Sequence, residues 1–155
     1  MAQENFTSSY VVTVRIAVPV AVIRIFLVSG KCPLSPTTEP LQHNKGTAVY
    51  ILSGEVIGYS CNDTTSYELS GTVNRTCQSN GTLTSTEPVC LRKCILPATT
   101  SPKTHDQGLS TYVVESITVH YNCSNPTTHE LSGTASRTCL FNGSFSNDEP
   151  ECIGN

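Results

Sequence analysis

Residues 68–77 read ELSGTVNRTC, and residues 130–139 read ELSGTASRTC. Eight of the ten positions are identical at an offset of 62 residues. The cysteines obey the same offset. They form two quartets, 32, 61, 77, 90 and 94, 123, 139, 152, with intervals of 29, 16 and 13 in each. Tyr50/Tyr112, Gly46/Gly108, Tyr59/Tyr121, Asn80-Gly81/Asn142-Gly143 and Glu87-Pro88/Glu149-Pro150 extend the correspondence. This is a tandem duplication of one module, with only Leu91-Arg92-Lys93 between the quartets.

Each copy reads as β-structure. Ile117, Val119 and Tyr121 alternate with Thr118, His120 and Asn122, the period-2 pattern that puts the first three on one buried face. Ile57 and Tyr59 keep that face in the first copy, with Glu55 in place of Ile117. Tyr50–Leu52 and Thr111–Val114 offer a further short strand apiece. Asn80-Gly81 and Asn142-Gly143 are turn dipeptides, since both residue types tolerate positive φ. Thr, Ser, Asn, Gly and Pro dominate the remainder, and no helical period is sustained. The fold class is therefore all-β, in two small modules.

The chain is only 14% charged and 6% aromatic, with no Trp. Its formal charge of -3 becomes -4 when residues 1–30 are set aside, which gives nucleic acid or another polyanion no electrostatic purchase. An even cysteine count at regular spacing, behind an apolar leader, indicates disulfides made in an oxidising compartment. A zinc site is not expected. Cys90 and Cys94 are the only close pair, no CxxC occurs, and His43, His105, His120 and His129 are ungrouped. At about sixty residues per module, burial alone does not exceed the cost of ordering the chain. Closing a 45-residue loop supplies roughly 4 kcal/mol in the chain-entropy model. Each quartet permits three pairings.

The leader contains the apolar run IAVPVAVIRIFLV at residues 16–28, too short and too charged to span a bilayer as a helix. It suits a signal peptide, with Val28-Ser29-Gly30 as small residues before a cleavage at Lys31. The alternative is an uncleaved signal anchor that tethers the chain to a membrane. No second apolar stretch stands near Asn155, so a C-terminal anchor is not expected.

Each quartet resembles a sushi module, also called a complement control protein module or short consensus repeat. That pattern has an aromatic two residues before the second Cys, a Y-x-L-x-G segment after it, and N-G-x-W between the third and fourth. The first copy has Tyr59-Ser60-Cys61, Tyr67-Glu68-Leu69-Ser70-Gly71, Cys77, Asn80-Gly81-Thr82-Leu83 and Pro88-Val89-Cys90. The second has Tyr121-Asn122-Cys123, His129-Glu130-Leu131-Ser132-Gly133, Cys139, Asn142-Gly143-Ser144-Phe145 and Pro150-Glu151-Cys152. The resemblance implies first-to-third and second-to-fourth pairing: Cys32–Cys77, Cys61–Cys90, Cys94–Cys139 and Cys123–Cys152. It further implies modules joined end to end by the short linker Leu91–Lys93, giving a leader at 1–30, one module at 31–91 and another at 92–155. Leu83 and Phe145 replace the family's Trp. The Leu83 substitution, together with Glu55, leaves the first module with the leaner core and the lower expected stability, and the two modules are expected to unfold separately.

The resemblance implies a non-catalytic binding protein, since family members act as binding units in complement regulation, adhesion, cytokine capture and coagulation. An extracellular protein is the expected partner, and no cofactor is expected. The alternative is a structural role as spacer modules of a matrix or mosaic protein. No GxSxG, HExxH or phosphate-binding loop occurs. His105-Asp106 reads as a solvated turn, and His43 is its repeat counterpart. Arg92-Lys93 reads as a pair of solvated charges. Candidate N-glycosylation sites are Asn62, Asn74, Asn80, Asn122 and Asn142, each in an N-x-S/T sequon, with Asn5 in the leader. The segments Leu41–Ala48 and Lys103–Ser110 differ most between copies and are the expected recognition loops on a stapled scaffold.

Overall fold

A computed structural model describes residues 30–155, together with Tyr10–Val11 (β1) and Phe26–Leu27 (β2), which pair antiparallel. The expected signal segment otherwise lies outside the described residues, as does Asn5. Among the described residues every regular element is a strand. The first copy contains β3 (Lys31–Pro33), β4 (Leu41–His43), β5 (Tyr50–Leu52), β6 (Val56–Cys61), β7 (Tyr67–Ser70) and β8 (Asn74–Thr76). After β9 (Val89–Ile95) the second contains β10 (Lys103–His105), β11 (Tyr112–Val114), β12 (Thr118–Cys123), β13 (His129–Ser132), β14 (Ser136–Thr138) and β15 (Glu151–Gly154). Strands β4–β8 recur residue for residue, 62 positions on, as β10–β14. Two three-stranded sheets, β4-β6-β8 and β10-β12-β14, express the duplication directly.

By packing, the described chain divides into two compact units. One holds the residues up to Pro36 with His43–Gly58 and Asn74–Thr86; the other holds Thr37–Gln42, Tyr59–Val73 and Glu87–Asn155. In the first unit β3 pairs with β5, placing Cys32 opposite Ile51, and the Cys32–Cys77 disulfide lies beneath them. Cys32, Ile51, Ile57 and Cys77 are buried there. The second unit contains the disulfides Cys61–Cys90, Cys94–Cys139 and Cys123–Cys152. Its core gathers Cys94, Leu96, Val113, Val119, Tyr121 and Cys139, with Leu131 and Phe145 packed against it. Phe145 forms a β-bridge with Cys139, as Leu83 does with Cys77. The residues that replace the family's Trp thus sit beside the long-loop disulfide in each copy.

The alternation in β6 and β12 produces the inward face. Ile57 and Val119 are fully buried, and Tyr59 and Tyr121 nearly so, whereas Ser60, His120 and Asn122 face out. Ile117 does not join them. It precedes β12, directly after Ser116 at φ 72°, and is 41% exposed. A tight turn after β11, closed by the Ile117 N–H on the Val114 carbonyl at 3.1 Å, swings the side chain outward. Its counterpart Glu55 is exposed as well. The Glu55 carboxylate accepts the Leu52 N–H at 2.6 Å and the Lys45 ammonium at 3.2 Å, so it closes the β5–β6 turn. Glu55 consequently supports the first copy, and the expectation that it weakens that core does not hold. Leu83 against Phe145 remains as a difference in core filling.

The segment Leu91–Lys93 is not a loose linker. It is the centre of β9, which bonds two partners in succession within the second unit. Tyr67 stands opposite Arg92 and Glu68 opposite Leu91 on the β7 side; Lys93 then stands opposite Val114 on the β11 side. The Lys93 N–H reaches the Ser66 carbonyl at 2.8 Å, and the Glu115 N–H reaches the Arg92 carbonyl at 2.8 Å. The last strand of one copy is therefore the first strand of the next.

Substitution at adjacent positions separates the observed inward face from the simple alternation. Val119→Ala leaves a cavity in a closed core and is expected to cost about 2 kcal/mol. Ile117→Ser alters an exposed side chain and is expected to stay within about 0.5 kcal/mol of wild type. Chemical denaturation of the two variants checks the ordering; equal losses would return Ile117 to the core.

Candidate recognition site

The two variable loops share one hydrogen-bonded frame. In the second copy the Asp106 N–H donates to the His120 carbonyl at 3.1 Å, and Asp106 Oδ1 accepts the His120 N–H at 3.1 Å. The first copy does the same with Asn44 and Gly58, at 3.0 Å in both directions. His105 Nδ1 accepts the Gln107 N–H and His43 Nδ1 accepts the Lys45 N–H, each at 3.3 Å. The turns close through Ser110 N–H to the Gln107 carbonyl and Ala48 N–H to the Lys45 carbonyl. Gly108 and Gly46 occupy the left-handed region at φ 58° and 57°, which a Cβ would strain. The tips differ on this common frame. Lys45 and Thr47 in one copy correspond to Gln107 and Leu109 in the other, and Leu109 is fully exposed.

Asp106 does not orient His105 as a catalytic pair would require. Its Oδ1 serves His120 N–H and the Gln107 amide at 2.9 Å, while the His105 ring lies edge-on to Tyr121 at 5.8 Å. Burial pushes the Asp106 carboxyl upward, but hydrogen bonds from Gln107 and the His120 N–H outweigh it and hold the pKa below the usual value. Asp63 is lowered chiefly by hydrogen bonds from Ser66, and Glu55 by the Leu52 N–H and then Lys45. Among the described residues no cluster of three or more His, Cys, Asp or Glu side chains could hold a metal ion.

Arg92 and Lys93 are not the solvated charges that their sequence suggests. Both are half-buried. The Arg92 guanidinium lies 4.8 Å from the Tyr67 ring centroid, and Lys93 Nζ lies 4.3 Å from that of Tyr112 while donating to the Thr64 carbonyl at 2.9 Å. The Tyr112 hydroxyl donates to Glu68, which raises its pKa. These contacts fasten β9 to its neighbours. A second polar set joins Arg137 to the Phe145 ring at 4.2 Å and to Glu149 at 3.5 Å, with Lys103 paired to the same carboxylate. Sequence reasoning missed both sets, because cation–aromatic pairing across strands depends on register. The one available signal was Leu41 giving way to Lys103 at the repeat offset.

All five sequon asparagines, Asn62, Asn74, Asn80, Asn122 and Asn142, are exposed. Asn74 lies in β8 and Asn122 in β12, whereas Asn80 and Asn142 occupy turns. In those turns only the glycines, Gly81 and Gly143 at φ 83° and 84°, take the left-handed conformation; the asparagines do not.

A sequence model of the sushi repeat (SCR repeat) matches residues 32–90. Residues 32–90 are a sushi repeat. Its second repeat reproduces the strands and disulfide pattern of the matched one at the offset of 62. Over 87 residues, 56% of the chain, it is 38% identical to the mouse (Mus musculus) sushi, von Willebrand factor type A, EGF and pentraxin domain-containing protein 1, and it covers 2% of that protein. It is 29% identical over 123 residues to clotting factor C of Tachypleus tridentatus, with 78% of the chain and 11% of the relative covered. Against complement factor B of Bos taurus it is 34% identical over 125 residues, covering 79% of the chain and 15% of the relative. The chain thus spans only a small part of each relative. Sushi repeats are non-catalytic interaction modules, and no helix among the described residues is long and apolar enough to cross a membrane.

The lowered carboxylates fix the sign of the acid response. A depressed folded-state pKa contributes stability that is complete above the unfolded value and is lost as pH falls through the folded one. The melting temperature of this sushi pair is therefore expected to fall on acidification from about pH 5 to about pH 2. Asp106→Asn is expected to melt like wild type at neutral pH, since Asn44 performs the same task in the first repeat, and to remove part of the acid sensitivity. Calorimetry across that range checks both; an unchanged acid slope in the variant would exclude Asp106 as a contributor.

Proposed function

We propose that this chain is a secreted recognition protein of the complement-control or adhesion type, which binds an extracellular protein through its loops and performs no catalysis. The observation that carries this reading is the pair of loops at Leu41–Ala48 and Lys103–Ser110. Their frame is the same, hydrogen bond for hydrogen bond, while the tips diverge and one displays a fully exposed Leu109. A leucine held in water by a fixed turn contributes nothing to folding, but it is well placed to be buried by a partner. The leader at 1–30 and an eight-cysteine framework support secretion, and the modules are assigned to 31–91 and 92–155. Relatives named as a clotting factor and a complement factor are consistent with an extracellular setting. An acidic surface disfavours nucleic acid, and a membrane enters only if the leader remains uncleaved.

A second reading, spacer modules of a longer mosaic protein, is favoured by one observation. Strand β9 runs through the repeat junction and fastens it, a useful property in a spacer. Affinity capture from extracellular fluid on immobilised wild-type chain and on a Leu109→Ser, Gln107→Ala variant distinguishes the two. Recognition predicts a protein retained at fixed stoichiometry by wild type and at least tenfold less by the folded variant, about 1.4 kcal/mol. Equal retention by both chains, or none by either, favours the spacer.

A further inference from the structure

We propose that Asn80 and Asn142 are the principal N-glycosylation sites of this chain, an inference that rests on passage through a secretory pathway. The reaction forms a bond from the asparagine Nδ2 to the anomeric carbon of a lipid-pyrophosphate-linked oligosaccharide. The bond from that carbon to the pyrophosphate oxygen breaks, the lipid pyrophosphate leaves with the electron pair, and a proton departs from Nδ2. The chain must supply a carboxamide nitrogen facing outward, with the hydroxyl of the second residue onward close to the same amide.

Both turns meet that requirement before any partner arrives. Asn80 Oδ1 accepts the Thr82 N–H at 3.0 Å and the Thr82 hydroxyl at 2.8 Å. Asn142 Oδ1 accepts the Ser144 N–H at 3.0 Å and the Ser144 hydroxyl at 2.7 Å. The amide oxygen is thereby turned inward along the sequon and the nitrogen is left as the outer branch. The glycines set the orientation of each turn. A Cβ at Gly81 would meet the Lys31 carbonyl at 3.2 Å, and one at Gly143 would meet Arg92 Nε at 2.9 Å and the Lys93 carbonyl at 3.4 Å. The glycine side of each turn is therefore pressed against a neighbouring strand, while the exposed asparagine stands on the solvent side.

Locality separates these two sites from the other three. The turns close by Gln78 N–H to the Thr82 carbonyl and Gly81 N–H to the Gln78 carbonyl, and by Leu140 N–H to Ser144 and Gly143 N–H to Leu140. Every bond spans five residues or fewer, so the acceptor geometry can form as soon as the segment is synthesised. Asn74 instead lies in a strand together with Thr76, about 7 Å farther along the chain, so that hydroxyl is carried away from the amide. Asn122 lies near the end of β12, and the Ser124 N–H beyond it is engaged by the Pro102 carbonyl. Asn122 is further constrained by Cys123, disulfide-bonded to Cys152, and it lines an open cleft with His129 and Pro126. At Asn62, the backbone N–H is engaged by the Pro40 carbonyl, and Thr64 lies at the β9 junction with its carbonyl accepting Lys93. On the second turn the preceding Phe141 is 83% exposed, and a glycan on Asn142 would shield that ring from water.

The full chain is expressed in a eukaryotic secretory host behind its own leader and, in parallel, behind a foreign signal peptide. Enzymatic release of the glycans in oxygen-18 water marks each occupied asparagine, and peptide mass spectrometry reads occupancy at all five sites. The expected result is the highest occupancy at Asn80 and Asn142. N80Q and N142Q are each expected to remove about half of the attached glycan mass, and Thr82→Ala and Ser144→Ala to do the same with the asparagines intact. Because occupancy is read on the wild-type chain, a variant that fails to fold does not spare the proposal. Bare Asn80 and Asn142 on secreted chain, or higher occupancy at Asn74 or Asn122, overturns it. Glycosylated product from the foreign leader alone would leave the sites standing and remove the secretory reading of residues 1–30.

Discussion

The constraint on which the structure depends is the cross-linking of two sets of strands too small to hold themselves. Each repeat has few buried apolar side chains, and several of the most buried positions are the cysteines themselves: Cys32, Cys77, Cys94 and Cys139 are all essentially inaccessible. The Cys32–Cys77 and Cys94–Cys139 disulfides each close 45 residues of chain and lie directly against the best-packed apolar residues. Cross-link and core are therefore one object. Removing conformational freedom from the unfolded chain lets a short strand with a single inward Val or Ile persist, where burial alone would fall short.

With the scaffold fixed in this way, the remaining surface is free to vary. Residues 41–48 and 103–110 keep their backbone bonds through Asn44 in one copy and Asp106 in the other, so either side chain can anchor the loop while the tip changes. The polar contacts around β9 do the converse. Arg92 and Lys93 use their charges over Tyr67 and Tyr112, which turns the junction between repeats into structure and withdraws those residues from service as a docking patch. In the proposed reading, recognition falls to the loops and glycans to the turns.

Much of this was legible in the sequence because duplication states each feature twice. The offset of 62 located the repeats, the β6 and β12 faces and both turns from residue identities alone. What failed did so where local chemistry overrides period. Ile117 continues an apolar alternation, but Ser116 turns the chain before it and carries the side chain outward. Glu55 looks like a charge in a core position, yet it caps a turn. Leu91–Lys93 looks like a linker because it separates the quartets, whereas the strand signal there is short and is revealed only by its two partners. The loops were identified as variable, and the repeated His43/His105 and Gly46/Gly108 mark part of their common frame, but the bonds joining Asn44 and Asp106 to Gly58 and His120 are displayed by no residue pattern.

The dependence on the cross-link is tested most directly by backbone hydrogen exchange on the Cys94→Ala, Cys139→Ala chain beside wild type, with the other disulfides intact. The expected result is loss of amide protection throughout β10–β14, while β3, β5 and β8 keep theirs. Wild-type protection in β12 and β14 without that disulfide would show that the apolar core suffices alone, and would contradict the dependence of the fold on its staples.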